Sequence, residues 1–236
     1  MVDGSHADWW VERQGRSTAL VTTLGIFSLH HPQRAFTGRA WDAQSASLLL
    51  PARPPERILL LGLGGGTVAR QCRLLFPRAK ILAVEIEAAI VALARREFAL
   101  EDSRIEVVTS SAEAFLDRTR SRFDAIVDDV WPLQAHRSRP VLTDPRWIAR
   151  CHRLAPHGML AINGYSRDAA PGEHRGLLRE LRANFDQIRE VCVPGSLVTV
   201  LVGGEALRDG RQVRQVLRQA VPAIRAGSAM LRCRSH

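Results

Sequence analysis

Several residue types are scarce in this chain of 236 residues: four cysteines, one tyrosine (Tyr165) and one lysine (Lys80). Cys72, Cys151, Cys192 and Cys233 stand far apart. That spacing excludes a zinc-site motif and gives no ground for a disulfide framework, so they read as small buried thiols. No apolar run approaches the roughly 20 residues needed to span a bilayer. The N-terminus lacks the signal-peptide pattern, so the expectation is a cytoplasmic protein with no membrane partner. No Ser-His-Asp spacing and no metal-ligand motif is present, and no metal is expected. His30-His31 has no third partner in sequence and reads as an ordinary hairpin pair. Repeats and low-complexity tracts are missing as well.

With lysine nearly absent, the net charge of +9 is carried almost wholly by arginine. The arginines are scattered, as at Arg95-Arg96, Arg118 to Arg122 and Arg208 to Arg218, rather than gathered in one block. A nucleic-acid footprint clusters on one face, so this distribution disfavours nucleic acid as a partner. An anionic small molecule is a comparable alternative. The 46% hydrophobic content is ordinary for a folded protein and places disorder only at the ends.

The most informative stretch is residues 58–67, Ile-Leu-Leu-Leu-Gly-Leu-Gly-Gly-Gly-Thr. A run of large aliphatics ending in glycines is what a buried parallel strand looks like as it turns into a helix. Gly62, Gly64 and Gly66 let the backbone turn sharply and approach a ligand, because none carries a Cβ. The following helix is expected to aim unpaired N–H groups at whatever sits above the turn. About 20 residues on, the strand Ile81-Leu82-Ala83-Val84 ends in Glu85, where an acid reaches a ribose hydroxyl pair. Glu85 also has a plainer reading, as an acid favouring a helix start. The loop and the acid together point to a bound nucleoside.

The rest of the chain alternates. Strands at 57–62, 80–85, 105–108, 125–127 and 158–163 are separated by helices at about 67–76, 87–99, 112–118 and 143–154. This predicts a parallel sheet with helices on both faces. A helix at 171–184 is followed by two β-rich runs around Pro194-Gly195, a hairpin that closes the sheet with antiparallel strands. The fold class is therefore α/β, a doubly wound Rossmann-like sheet with an antiparallel C-terminal hairpin, preceded by a small β-rich segment. Three units are expected: a β-hairpin segment with a short helix at 1–50, the α/β domain at 51–205 after the Pro51 to Pro55 link, and a C-terminal helix and tail at 206–236.

The glycine loop, the acid ending strand two, the aspartate ending strand four and the terminal hairpin together resemble the class I S-adenosylmethionine-dependent methyltransferase fold. The wording of residues 59–70, of Phe123-Asp124-Ala125-Ile126-Val127-Asp128-Asp129, of Arg139-Pro140-Val141-Leu142-Thr143-Asp144, and of Leu154-Ala155-Pro156-His157-Gly158 running into Asn163 is similar to the spermidine synthase-like family. The resemblance covers roughly residues 20–203. It implies S-adenosylmethionine or its decarboxylated form as cofactor, a small-molecule acceptor, and a protein compatible with a homodimer.

The departures from the family matter for the reaction. Where polyamine-forming members carry an acid in the glycine loop, this chain has Gly65. Asp129 matches the first of two aspartates that hold a diamine, but Trp131-Pro132 occupies the region of the second. Ser111 stands where many members have an aspartate that accepts from the adenine amino group, and its hydroxyl makes a weaker contact. Tyr165 is the sole tyrosine, and Trp41 lies near one position where the family has another. The missing acids favour methyl transfer from S-adenosylmethionine; the family resemblance favours aminopropyl transfer from the decarboxylated form. A non-catalytic nucleoside-binding or regulatory module is the third reading. The expected site is Asp129 as base or orienter of the acceptor, with Gly62, Gly64, Gly66, Glu85 and Ser111 at the cofactor and Trp131, Asn163 and Tyr165 around the acceptor. Asp128 is expected to point away from Asp129, since strand residues alternate faces. Trp131 also reads as a core aromatic. His136, Arg137 and Arg139 lie on a loop placed to act as a lid that recognises an anionic substrate, but the favoured reading is solvated loop charge.

Overall fold

The computed structural model describes residues 9–132, 139–219 and 231–236. Its centre is an eight-stranded sheet. The aliphatic run after the Pro51–Pro55 link forms β4 (Arg57–Leu61), and the next strands are β5 (Lys80–Glu85), β6 (Glu106–Thr109), β7 (Ala125–Asp128) and β8 (Met159–Tyr165). In space they run β8-β7-β4-β5-β6, all parallel. The hairpin strands β9 (Gln187–Cys192) and β10 (Val198–Gly204) continue the sheet antiparallel, with β10 against β8. The chain reverses between them at Gly195, where φ is +78°.

The uninterrupted aliphatics of β4 are explained by burial on both faces. Ile58 and Leu60 enter one core with residues of α1 (Ala40–Ser47), α2 (Thr67–Leu75) and α3 (Ala88–Glu97). Leu59 and Leu61 enter the other with α4 (Ala112–Arg118), α6 (Trp147–Leu154) and α7 (Pro171–Asn184). The result is a three-layer sandwich that leaves the carboxyl ends of the parallel strands along one edge, where ligands bind in open α/β sheets.

The N-terminal segment holds three antiparallel strands rather than a hairpin: β1 (Trp9–Gln14), β2 (Ser17–Thr22) and β3 (Gly25–His30). It packs on α3 through Leu20, Ile90, Leu93 and Phe98. Polar contacts pin β3 to the glycine loop. Leu29 exchanges two hydrogen bonds with the Thr67 hydroxyl, at 2.8 and 2.9 Å. The half-buried Arg70 guanidinium donates to the carbonyls of Gly65, Phe98 and Leu29.

Other elements depart from the sequence reading. Helix α1, grouped by sequence with the N-terminal segment, packs in the main core through Trp41, Ala43 and Ala46. The helix expected at 143–154 is two pieces, α5 (Pro140–Thr143) and α6, because Pro145 holds Asp144 extended at φ −100°, ψ 108°. An unanticipated strand, β11 (Arg232–Ser235), pairs with β9 at the sheet edge. Helix α8 (Gly210–Gln219) lies in the expected C-terminal unit and buries Val213 and Leu217; residues 220–230 lie outside the described residues. No described helix is long and apolar enough to cross a membrane.

Candidate active site

A cavity of about 840 Å³ opens along the carboxyl ends of the parallel strands. Each strand contributes a chemical group in the order of the sheet: Asn163 and Tyr165 from β8, Asp129 after β7, Gly62 and Gly64 after β4, Glu85 from β5, Ser110 after β6. The N-terminal strands supply Leu20, Ile26 and Phe27, and α1 supplies Trp41.

Gly62 has φ +88°, and a Cβ there would lie 2.5 Å from the Asp129 carbonyl oxygen. Only glycine lets the loop come this close to the end of β7. The loop's own N–H groups are bonded within the protein. Gly62 N–H donates to Val84 O, those of Leu63 and Gly64 to Glu85 Oε2, that of Gly65 to Ser28 Oγ, and that of Gly66 to Leu63 O. With all of them satisfied inside the protein, the loop is not a phosphate cradle. It suits a nucleoside that carries no phosphate.

Glu85 is the hub of this end. Its Oε2 accepts from Leu63 and Gly64, at 3.1 and 3.0 Å, and its Oε1 accepts from Ile86 and Glu87, at 2.8 and 3.1 Å. It thus ties the loop to the start of α3 as well as lining the cavity. Beside it Ile86, 59% exposed, presents an apolar face to the cavity. Ser111 caps α4, its hydroxyl accepting from Ala114 N–H at 3.1 Å, and the cavity wall here is Ser110 and Ala112. Gly66 is the left-handed residue that starts α2, with φ +79°.

The two aspartates after β7 diverge. Asp128 is fully buried; its Oδ2 accepts from Trp147 Nε1 at 2.8 Å and its Oδ1 from Val130 N–H at 3.1 Å. Asp129 faces the cavity, and its Oδ1 accepts from Asn163 Nδ2 at 2.8 Å. Enclosure in protein raises the pKa of Asp129 to about 6, against the lowering effect of the Asn163 hydrogen bond and of neighbouring Gln44 and Arg139.

Sequence reasoning overlooked Gln44. It sits on α1 at 0% exposure beside the Asp129 carboxylate, with neither Nε2 nor Oε1 meeting a partner at hydrogen-bonding geometry. Asn163 Oδ1 is also buried and unpartnered. Gln44 stands among the polar residues Asp42, Ser45 and Ser47 of α1, so no local pattern singled it out, although a buried amide costs free energy unless something satisfies it.

Trp131 and Tyr165 wall the far end, edge to face with ring centroids 5.2 Å apart. Behind Trp131 the Arg139 guanidinium, 3% exposed, lies 4.1 Å from the ring centroid and 3.9 Å from Asp128 Oδ1. Arg139 is therefore a buried counter-charge. His136 and Arg137, the other residues of the expected lid, lie outside the described residues.

Comparison with known proteins agrees with this architecture. Residues 58–156 match the family described as "Methyltransferase domain". The chain is 30% identical over 140 residues to a probable polyamine aminopropyl transferase of Bifidobacterium longum, covering 59% of this chain and 31% of that protein. It is 36% identical over 133 residues to the eEF1A lysine and N-terminal methyltransferase homolog of Drosophila melanogaster, covering 50% of this chain and 19% of that protein. The chain thus spans well under half the length of these relatives. Among solved structures, a probable spermidine synthase from Corynebacterium glutamicum superposes with a TM-score of 0.76 at 18% identity, over 99% of this chain and 89% of that one. Human methyltransferase-like protein 13, in complex with SAH, superposes with a TM-score of 0.63 at 22% identity, over 79% of this chain and 90% of that one. The strand order and these matches converge on the class I methyltransferase fold, and over that fold the chain is similar to spermidine synthase-like proteins.

Proposed function

We propose that this chain transfers an alkyl group from an S-adenosylmethionine-type sulfonium nucleoside to an amine nitrogen. The observation that carries the reading is Asp129: one carboxylate, positioned by Asn163, at the cavity end of the central strand, beside a glycine loop that spends its N–H groups internally. The residues fit a phosphate-free adenosyl group. Glu85 would hold the ribose, Ile86 and Ala112 would flank the base, and Gly62 and Gly64 would allow the loop's close approach.

The bound nucleoside supplies a carbon on a positively charged sulfur: the amine lone pair forms the N–C bond, the C–S pair returns to sulfur as a neutral thioether, and the amine loses a proton. Asp129 takes or directs that proton, and its pKa of about 6 leaves it ionised at neutral pH. Asn163 presents a further oxygen beside it, suited to another N–H of a primary amine. Trp131, Tyr165 and Trp41 enclose the acceptor and exclude water, which strengthens the Asp129 field.

Aminopropyl transfer from the decarboxylated nucleoside is the leading form. The names of the relatives support it better than methyl transfer, which the acids missing at Gly65 and at Trp131-Pro132 favour. The geometry weakens that argument, because a side chain at 65 would run into Ser28 and Phe98, and Gly65 does not line the cavity. Methyl transfer is the second reading, favoured by the 36% identity to a protein named as a lysine and N-terminal methyltransferase homolog.

Parallel calorimetric titration with S-adenosylmethionine and its decarboxylated form separates the two. Tighter binding of the decarboxylated form supports aminopropyl transfer, and the reverse supports methyl transfer. Failure of folded protein to bind either sinks the proposal and favours a module without this cofactor.

A further inference from the structure

Resting on the amine-transfer reading, we propose that the acceptor is a monoamine with an apolar or aromatic body, not a diamine. The inference follows from where charge sits along the cavity. Among the described residues its lining contains the carboxylates Glu85, Glu87, Glu113 and Asp129. Glu85 and Glu87 follow β5, and Glu113 belongs to α4 beyond β6, so these three stand at the nucleoside end. Tyr165 is on β8, three strands from β5, which is ~14 Å at the usual strand spacing. Asp129 alone serves the acceptor end.

Beyond Asp129 the wall is Trp131, Pro132, Pro140, Tyr165, Leu197 and Val198. The sheet register accounts for part of this, since Val198 pairs with Tyr165 and carries Leu197 alongside it. None of the six offers a carboxylate. The intervening segment 133–138 reads Leu-Gln-Ala-His-Arg-Ser and contains no acid in any arrangement.

The buried ion pair beside this wall offers a second ammonium no partner. Arg139 lies 4.1 Å from the Trp131 ring and 3.9 Å from Asp128, so the two charges offset each other. The tryptophan face that would otherwise attract an ammonium is already engaged by this guanidinium. Asp128 does not change the balance. Its oxygens are held by Trp147 and Val130, and its charge is opposed by Arg139. Glu173 of α7 also acts on Arg139 but does not line the cavity, so among the described lining residues at this end Asp129 is left to match one ammonium. An apolar body packed on Trp131 and Tyr165 gains from burial, whereas a second ammonium there loses its water without a partner.

The test compares amines of matched length by calorimetry, on protein saturated with 5′-methylthioadenosine and, separately, with S-adenosylhomocysteine. n-Hexylamine and 2-phenylethylamine are expected to bind at least ~10-fold more tightly than 1,6-diaminohexane or 1,4-diaminobutane, about one factor of ten in affinity being the smallest difference that a lone desolvated charge would produce. Pro132→Asp, which adds an acid to this wall, is expected to bring 1,6-diaminohexane level with n-hexylamine. Diamines that bind wild-type protein as tightly as the monoamines overturn the inference while leaving the transfer reading intact. That comparison stands whether or not the variant folds. Protein that binds the nucleoside but no amine of either kind overturns the amine-transfer reading, and the inference with it.

Discussion

Asn163 Nδ2 donates to Asp129 Oδ1 over 2.8 Å, joining the ends of β8 and β7 at the floor of the cavity. The hydrogen bond restrains the orientation of a carboxylate that lines the cavity. Asp129→Asn is therefore expected to lower kcat/KM about 100-fold or more, the usual scale for a positioned base. The wild-type pH–rate profile should fall on its acid side near pH 6, and that limb should vanish in the variant. Unchanged turnover in Asp129→Asn removes Asp129 from the chemistry.

The same residue is predicted to weaken the fold. Burial raises its pKa to about 6, so the native state holds the proton more tightly than the unfolded chain does. The stability Asp129 contributes is then fully present at low pH and is lost as pH rises through about 6. Asp129→Asn carries no such charge. Its melting temperature should exceed that of wild type above pH 7, with the gap closing as pH falls below about 4. Thermal melts across pH 3.5–8 decide this, and a gap independent of pH contradicts it.

Glu85 receives four backbone N–H groups, which makes it a structural clamp as well as the proposed ribose partner. Glu85→Ala is expected to leave these donors without a buried acceptor and to cost on the order of 2–3 kcal/mol in denaturant unfolding. Nucleoside affinity should fall in parallel. Glu85→Gln retains one acceptor oxygen and should lose less stability than Ala, while still binding the nucleoside more weakly than wild type. Equal stability of wild type and Glu85→Ala would show that the loop does not depend on the clamp.

What could be read from the sequence was what local pattern determines. The aliphatic runs of β4, β5, β7 and β8 mark strands buried on both faces, and the Pro194-Gly195 pair marks the hairpin. Glu85 and Asp129 were visible because strand ends fix where an acid must stand. The partners of those acids were not visible. Gln44 meets Asp129 from α1, outside the parallel strands, and Ser28 meets Gly65 across 37 positions, so neither contact leaves a periodicity. Strand β11 was missed because Arg-Cys-Arg-Ser has no apolar alternation; its pairing with β9 is a tertiary effect. Arg139 read as a loop charge because burial beside Asp128 cannot be inferred from spacing.

Gly65 is the position at which sequence and geometry give different chemical meanings, and an acid placed there discriminates between them. An ideal Cβ would lie 2.8 Å from both Ser28 Cβ and Phe98 Cδ1. Phe98 is fully buried against Leu20, Ile90 and Leu93 and has little room to give way. The Gly65 N–H bond to Ser28 Oγ, 2.7 Å, holds the loop in this register. Gly65→Asp is thus expected to destabilise by ~1–3 kcal/mol, the range for overpacking a filled site. Phe98→Leu in the same chain should recover part of that loss relative to the sum of the two single changes. Because the new carboxylate would be directed away from the cavity, the ratio of affinities for S-adenosylmethionine and its decarboxylated form should shift by less than about threefold, under ~0.7 kcal/mol. A Gly65→Asp variant as stable as wild type, with a tenfold gain for the decarboxylated form, would mean that position 65 faces the ligand and that its glycine sets the choice of donor.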